Sequence, residues 1–215
     1  LTYESNHRAT MRFARLAKEA GVSRFIFSSS FSLYGASGDG LVTENGRMLP
    51  VTPYGETKAM VDRDLSALAG DDFSPVRLRN ATAYGASPRL RLDLVLNDLV
   101  ASALVTGTIL MKSDGTPWRP LVHVEDICRA FLAVATAPRE AIHDEAFNVG
   151  STSENYRIAE LAEIVRATIP GSDVEYAPGA GPDKRCYRVD FSKIERQLPE
   201  FRPQWNARTG AQQLY

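Results

Sequence analysis

Tyr54 and Lys58 stand four positions apart in Thr52-Pro53-Tyr54-Gly55-Glu56-Thr57-Lys58. On a helix that spacing puts both side chains on one face. A lysine ammonium beside a phenol favours the phenolate over the neutral form, whose ordinary pKa is near 10. A phenol so placed is a usable general base toward an alcohol or sugar hydroxyl near neutral pH. The spacing alone is common on exposed helix faces, so it needs company. Ser28, Ser29 and Ser30 supply it by ending the run Arg24-Phe25-Ile26-Phe27, which reads as a strand buried on both faces. Strand ends in open parallel sheets are where ligands bind. A buried hydroxyl left unbonded costs on the order of 1–3 kcal/mol. The Ser30 hydroxyl can donate to one substrate oxygen while Tyr54 takes its proton.

Positioning these groups requires a strand and a helix side by side. Residues 6–20 read as a helix, with Met11, Ala14, Leu16, Ala17 and Ala20 at helical spacing. Gly21 stops it. Residues 35–52 read as loop. Thr52 is a candidate N-cap and Pro53 suits the first helical turn, so a helix should run to about Ala69, with Gly70 beyond it. Val76-Arg77-Leu78-Arg79-Asn80 reads as the next strand. Helix–strand–helix–strand implies an α/β fold with a parallel sheet and crossover helices. Further on, 92–106, 124–137 and 157–168 read as helices and 109–112, 146–149 and 173–177 as strands. Residues 1–84 are expected to form one unit, and 85–215 mainly a smaller α/β lobe with some segments returning to the main sheet.

The 215 residues carry 25 basic and 26 acidic side chains, a formal charge of -1. No basic stripe marks a nucleic-acid partner. No apolar run approaches the roughly 18 residues of a membrane span. Two distant cysteines, Cys128 and Cys186, fit a reducing, cytoplasmic setting better than a disulfide framework. The three histidines, His7, His123 and His143, have no metal-ligand spacing to one another or to a cysteine. No metal is expected, and His123 is expected to be a packed structural residue.

Phe27-Ser28-Ser29-Ser30-Phe31-Ser32-Leu33-Tyr34-Gly35, followed by Pro53-Tyr54-Gly55-Glu56-Thr57-Lys58, resembles the extended short-chain dehydrogenase/reductase family. Its members include NAD-dependent nucleotide-sugar epimerases and dehydratases. The resemblance runs from Asn6 to Tyr215. It implies a partial Rossmann-like sheet with a smaller substrate-binding lobe, NAD as cofactor (NADP left open), and a nucleotide-diphosphate sugar as substrate. By that resemblance Ser30, Tyr54 and Lys58 are the catalytic residues. Ser28, Tyr54 and Lys58 face the cofactor, with Lys58 also holding the nicotinamide ribose. Ser32 lies at the substrate. Asn80 touches the diphosphate region and Asn97 the nucleotide. Arg119, in Arg119-Pro120-Leu121-Val122-His123-Val124-Glu125-Asp126, binds diphosphate, a role suited to a planar donor fork. Arg185 and Tyr187 belong to a late loop that closes over the nucleotide. Residue by residue, the alternatives stay open: an ion pair for Arg119, turn or cap chemistry for Asn80 and Asn97, packing for Arg185 and Tyr187.

The implied activity is epimerisation through transient oxidation at a sugar hydroxyl. A reductase or dehydrogenase of a sugar or other ketone is the first rival, and a non-catalytic binding protein on the same fold the second. The dehydratase branch places Asp and Glu directly after the catalytic Ser/Thr. Here Phe31 and Ser32 stand there, and neither is an acid near neutral pH, which argues against 4,6-dehydration. The family also binds its cofactor pyrophosphate at a Gly-rich turn feeding a helix. Gly35-Ala36-Ser37-Gly38-Asp39-Gly40 has the glycines in the wrong order and no helix after it. The chain is therefore expected to be a fragment, inactive in isolation, of an enzyme that forms a homodimer. The dimer is expected through the helices at 6–20 and 53–69, the latter carrying apolar Met60, Val61, Leu65 and Leu68.

Overall fold

The structure, a computed structural model, describes residues 1–35, 40–181 and 186–215. A π-helical turn, Tyr3–Arg8, leads into α1 (Ala9–Glu19). Gly21, at φ 79°, adopts the left-handed backbone that favours glycine and redirects the chain into β1 (Arg24–Ser30). A 3-10 turn, Phe31–Leu33, and the short β2 (Leu41–Val42) precede α2 (Pro53–Ser66). Thr52 Oγ1 accepts from Gly55 N at 3.1 Å and Pro53 fills the first turn, satisfying a helix start whose N–H groups lack partners. Next come β3 (Ser74–Asn80), β4 (Thr82–Tyr84), α3 (Val95–Thr106), β5 (Thr108–Ser113) and β6 (Trp118–His123). The chain continues through α4 (Val124–Thr136), α5 (Arg139–Ile142), β7 (Ala146–Val149), β8 (Asn155–Arg157) and α6 (Ile158–Thr168). It ends with β9 (Asp173–Gly181), β10 (Arg188–Val189), α7 (Ser192–Gln197) and α8 (Ala207–Leu214).

Strands β1, β3 and β7 form a parallel sheet in that order, with Ser30 opposite Asn80. Residues 146–149 thus join a sheet begun more than a hundred residues earlier. In a second sheet β6 pairs parallel with β4 and antiparallel with β8. The pairs β5–β9 and β2–β10 are parallel. One core, including Phe31, Leu78, Phe147 and Phe191, fills the space around the first sheet. Another, including Leu96, Ile109, Leu121 and Leu161, fills the second lobe. A small third core of Met11, Ala14, Phe27, Val61 and Leu65 joins α1 and α2 to β1. Each fully buried large aliphatic side chain contributes about 1.5–3 kcal/mol.

Several local expectations change. α2 ends at Ser66, and Leu68 and Ala69 bond back to Leu65 and Ser66 in tight turns because Gly70 is engaged with Phe73. β1 is not buried on both faces: Phe25 and Ile26 are half-buried and Ser28 is exposed. Among the described residues its only sheet neighbour is β3. Val61 and Leu65 are fully buried within the third core, so they add nothing to an outward apolar face. The large exposed apolar side chains on α1 are Phe13 and Leu16. Cys128 and Cys186 are free thiols. No helix is long and apolar enough to cross a membrane among the described residues.

Candidate active site

The end of β1, the first turns of α2 and the end of β3 meet at a cleft of about 940 Å³. Its lining includes Ser28, Ser30, Ser32, Tyr54, Asn80, Arg119 and Tyr187. Ser30 Oγ and Ser32 Oγ are 2.6 Å apart, and Ser30 Oγ accepts from Ser32 N at 3.3 Å. Lys58 Nζ donates to the Ser28 carbonyl at 2.7 Å. It lies 4.5 Å from the centre of the Phe27 ring and 5.6 Å from that of Tyr54. Burial draws the Lys58 pKa below its ordinary value, because desolvation disfavours the ammonium. Asn80 Nδ2 donates to Ser28 Oγ at 3.0 Å, while Asn80 Oδ1 is buried without a hydrogen-bond partner among the described residues.

The other expected residues divide. Arg119 is buried, donates from Nη1 to the Trp118 carbonyl at 2.9 Å, and lies 5.9 Å from the Tyr187 ring centre. Tyr187 packs edge-on against Phe31. Asn97 does not line the cleft. Its Oδ1 accepts from Gly85 N at 3.1 Å and its Nδ2 donates to the Arg91 carbonyl at 3.0 Å, so its amide ties down the segment between β4 and α3. Arg185 lies outside the described residues, as do positions 36–39 of the glycine-containing segment. Gly40 leads into β2, not into a helix. His123 stacks on Trp205 at 4.0 Å, accepts from Glu125 N through Nδ1 and bonds Gln213 Oε1 through Nε2 at 2.8 Å. That is a packed structural environment. Asp62 and Arg79 were not singled out from the sequence, yet they form a buried ion pair behind this wall. Asp62 stands four positions after Lys58, on the face that carries Tyr54 and Lys58. That spacing was the signal available for it.

Residues 1–150, more than half of the sequence, match the model of the NAD dependent epimerase/dehydratase family. The chain belongs to that family. The epimerase/dehydratase relatives include the UDP-glucose 4-epimerase of Bacillus subtilis (strain 168), 25% identical over 99% of this chain and 66% of its own length. The low-salt glycan biosynthesis protein Agl12 of Haloferax volcanii is 28% identical over 96% of this chain and 65% of its own. The chain thus spans about two thirds of the length of these curated relatives. The structure of MoeE5 in complex with UDP-glucuronic acid and NAD is 28% identical, with a TM-score of 0.83 over 97% of this chain and 69% of that one. The dTDP-glucose 4,6-dehydratase DesIV of Streptomyces venezuelae, with NAD bound, is 26% identical with a TM-score of 0.82, covering 99% of this chain and 65% of that one.

The family is NAD-dependent, and the cleft wall fits the nicotinamide-ribose end of that cofactor. The orphaned Asn80 Oδ1 offers an acceptor, the exposed Ser28 a hydroxyl, and Lys58 an ammonium on the same strand end. Ribose hydroxyls and a carboxamide, each able to donate and to accept, match such a set.

Proposed function

We propose that the full-length protein is an NAD-dependent nucleotide-sugar epimerase. The observation that carries this is that Ser30, Tyr54 and Arg119 line one cleft, with the Lys58 ammonium held at the Ser28 carbonyl beside the Tyr54 ring. Bound NAD would supply the hydride acceptor and donor for transient oxidation of the sugar hydroxyl. Tyr54 takes the hydroxyl proton and returns it. Ser30, whose hydroxyl is oriented by Ser32, donates to the same sugar oxygen. Lys58 supplies positive charge beside the Tyr54 ring and holds the ribose hydroxyls. Arg119 gives the diphosphate a planar donor fork, and Asn80 completes the contact at the strand end. Asn97 supports the nucleotide indirectly, through the segment it bonds. Tyr187, and Arg185 beyond the described residues, cover the nucleotide.

Phe31 is fully buried against Tyr34 and Phe191, and Ser32 carries only a hydroxyl. Neither can protonate a leaving hydroxyl, which favours epimerisation over dehydration. We also propose a cytoplasmic setting and a homodimer, the latter supported by the exposed Phe13 and Leu16 of α1 beside α2. Residues 1–84 would then form the cofactor side and 85–215 mainly the substrate side. The test is to incubate the full-length protein with NAD and UDP-glucose or UDP-glucuronic acid and follow the sugar by NMR. The expected product is the epimer with no net NADH. Net reduction of a simple ketone, with no conversion of or thermal protection by nucleotide sugars, would establish the reductase instead.

A further inference from the structure

A buried ion pair ties together the elements that carry the site. Arg79 precedes Asn80 on β3, and Asp62 lies one helical turn beyond Lys58 on α2. Their exposures are 4% and 3%. Arg79 Nη2 donates to Asp62 Oδ1 at 2.6 Å and Nε to Oδ2 at 3.0 Å. Asp62 Oδ2 also accepts from Ser29 Oγ at 3.2 Å, between Ser28 and Ser30 at the end of β1. The remaining arm of Arg79, Nη1, donates to the Tyr34 hydroxyl at 2.9 Å and to the Glu44 carbonyl at 2.7 Å. The Tyr34 hydroxyl donates to Asn148 Oδ1 at 2.7 Å on β7, and the Glu44 carboxylate accepts from Asn148 N at 2.8 Å. Burial pushes the Tyr34 hydroxyl up to about 12, which keeps it a donor. One guanidinium thereby links α2, β1, β3, β7 and the segment leaving β1.

Such a pair is a poor device for stability alone. Desolvating two charges cancels much of their attraction, and well-packed apolar residues often do as well. What apolar residues cannot supply is direction: a bidentate fork fixes both distance and angle. We propose that the Arg79–Asp62 pair is a positioning device for catalysis, setting the rotation and axial register of α2 against β1. Asp62, Lys58 and Tyr54 share one helix face, so a slip at Asp62 displaces Tyr54 relative to Ser30. A misplacement of about 1 Å at reacting groups costs on the order of 100-fold in rate. This inference rests on the catalytic reading given above.

The experiment uses the full-length protein with Arg79→Met/Asp62→Leu combined and with Arg79→Lys alone. The double variant removes both charges and is expected to keep its melting temperature within a few degrees of wild type. Its kcat should fall at least about tenfold while KM for the nucleotide sugar stays within about threefold, the pattern of a lost transition-state arrangement. Arg79→Lys keeps the charge but loses the fork, and should show the same split. A double variant with wild-type kcat overturns the proposal, as does wild-type kcat in Arg79→Lys where the double fails to fold. Amide exchange over residues 53–60 is measured in the same proteins and needs no turnover. Faster exchange there at unchanged melting temperature supports positioning. Unchanged exchange overturns it, even for a wild type that converts no nucleotide sugar, an outcome that by itself would sink only the proposed function.

Discussion

A general base must be reachable, and Tyr54 is 45% exposed at the cleft, whereas Lys58 is half-buried against Phe27 and the Ser28 carbonyl. Replacing Tyr54 by Phe keeps the ring under that ammonium and deletes only the proton acceptor. Turnover by the full-length protein should then fall at least about 100-fold in steady-state assays, with the melting temperature unchanged. Glu154 makes a second residue-scale case. Burial raises its carboxyl pKa above the ordinary 4.5, although Tyr156 Oη and Ala207 N both donate to it. A raised value means that the protonated form is the better fit. Its stabilising contribution is complete below the ordinary value and is lost as pH rises through the folded one. Glu154→Gln cannot titrate, so its melting temperature should gain on wild type as pH rises above the ordinary 4.5; a pH-independent gap would refute this. The cleft residues of β1 and α2 were legible in the sequence because strand end and helix spacing each restrict where a side chain points. Asp62 and Arg79 were not, because a buried ion pair is made by partners that only the folded sheet brings together.

At the scale of elements, punctuation was the reliable guide. Thr52-Pro53 started α2 as expected and Gly21 separated α1 from β1. β6 was harder to see: Arg119 and Pro120 interrupt any alternation, and its antiparallel partner, β8, is only three residues long. The two-residue strands β2 and β10 carry no sequence period at all, and exist because each meets the other across the fold. Gly85 marks the junction from β4 to the segment bordering the cleft. Its φ is 105°, and a Cβ there would lie 2.1 Å from His123 Nε2. Gly85→Ala should therefore destabilise the protein by about 1–3 kcal/mol of backbone strain, plus whatever shift His123 makes to clear the methyl. Chemical denaturation measures this, and a variant as stable as wild type would contradict the contact.

At the scale of the whole molecule, the parallel sheet was legible from the order of helices and strands. The return of 146–149 to it was only partly so, since order alone does not fix a neighbour. Phe13 and Leu16, at 66% and 51% exposure, leave α1 with an apolar surface of the kind that marks an interface. Light scattering on the full-length protein should report a dimer at micromolar concentration, weakened by Phe13→Glu; a monomer throughout would count against the homodimer. The tie between Ala86 and Gln213 spans 127 positions, and the same Gln213 side chain holds His123. A chain folds as it leaves the ribosome, its earlier parts first. The border of the cleft must therefore wait, through the synthesis of everything between, for a glutamine in α8 to arrive and fasten it.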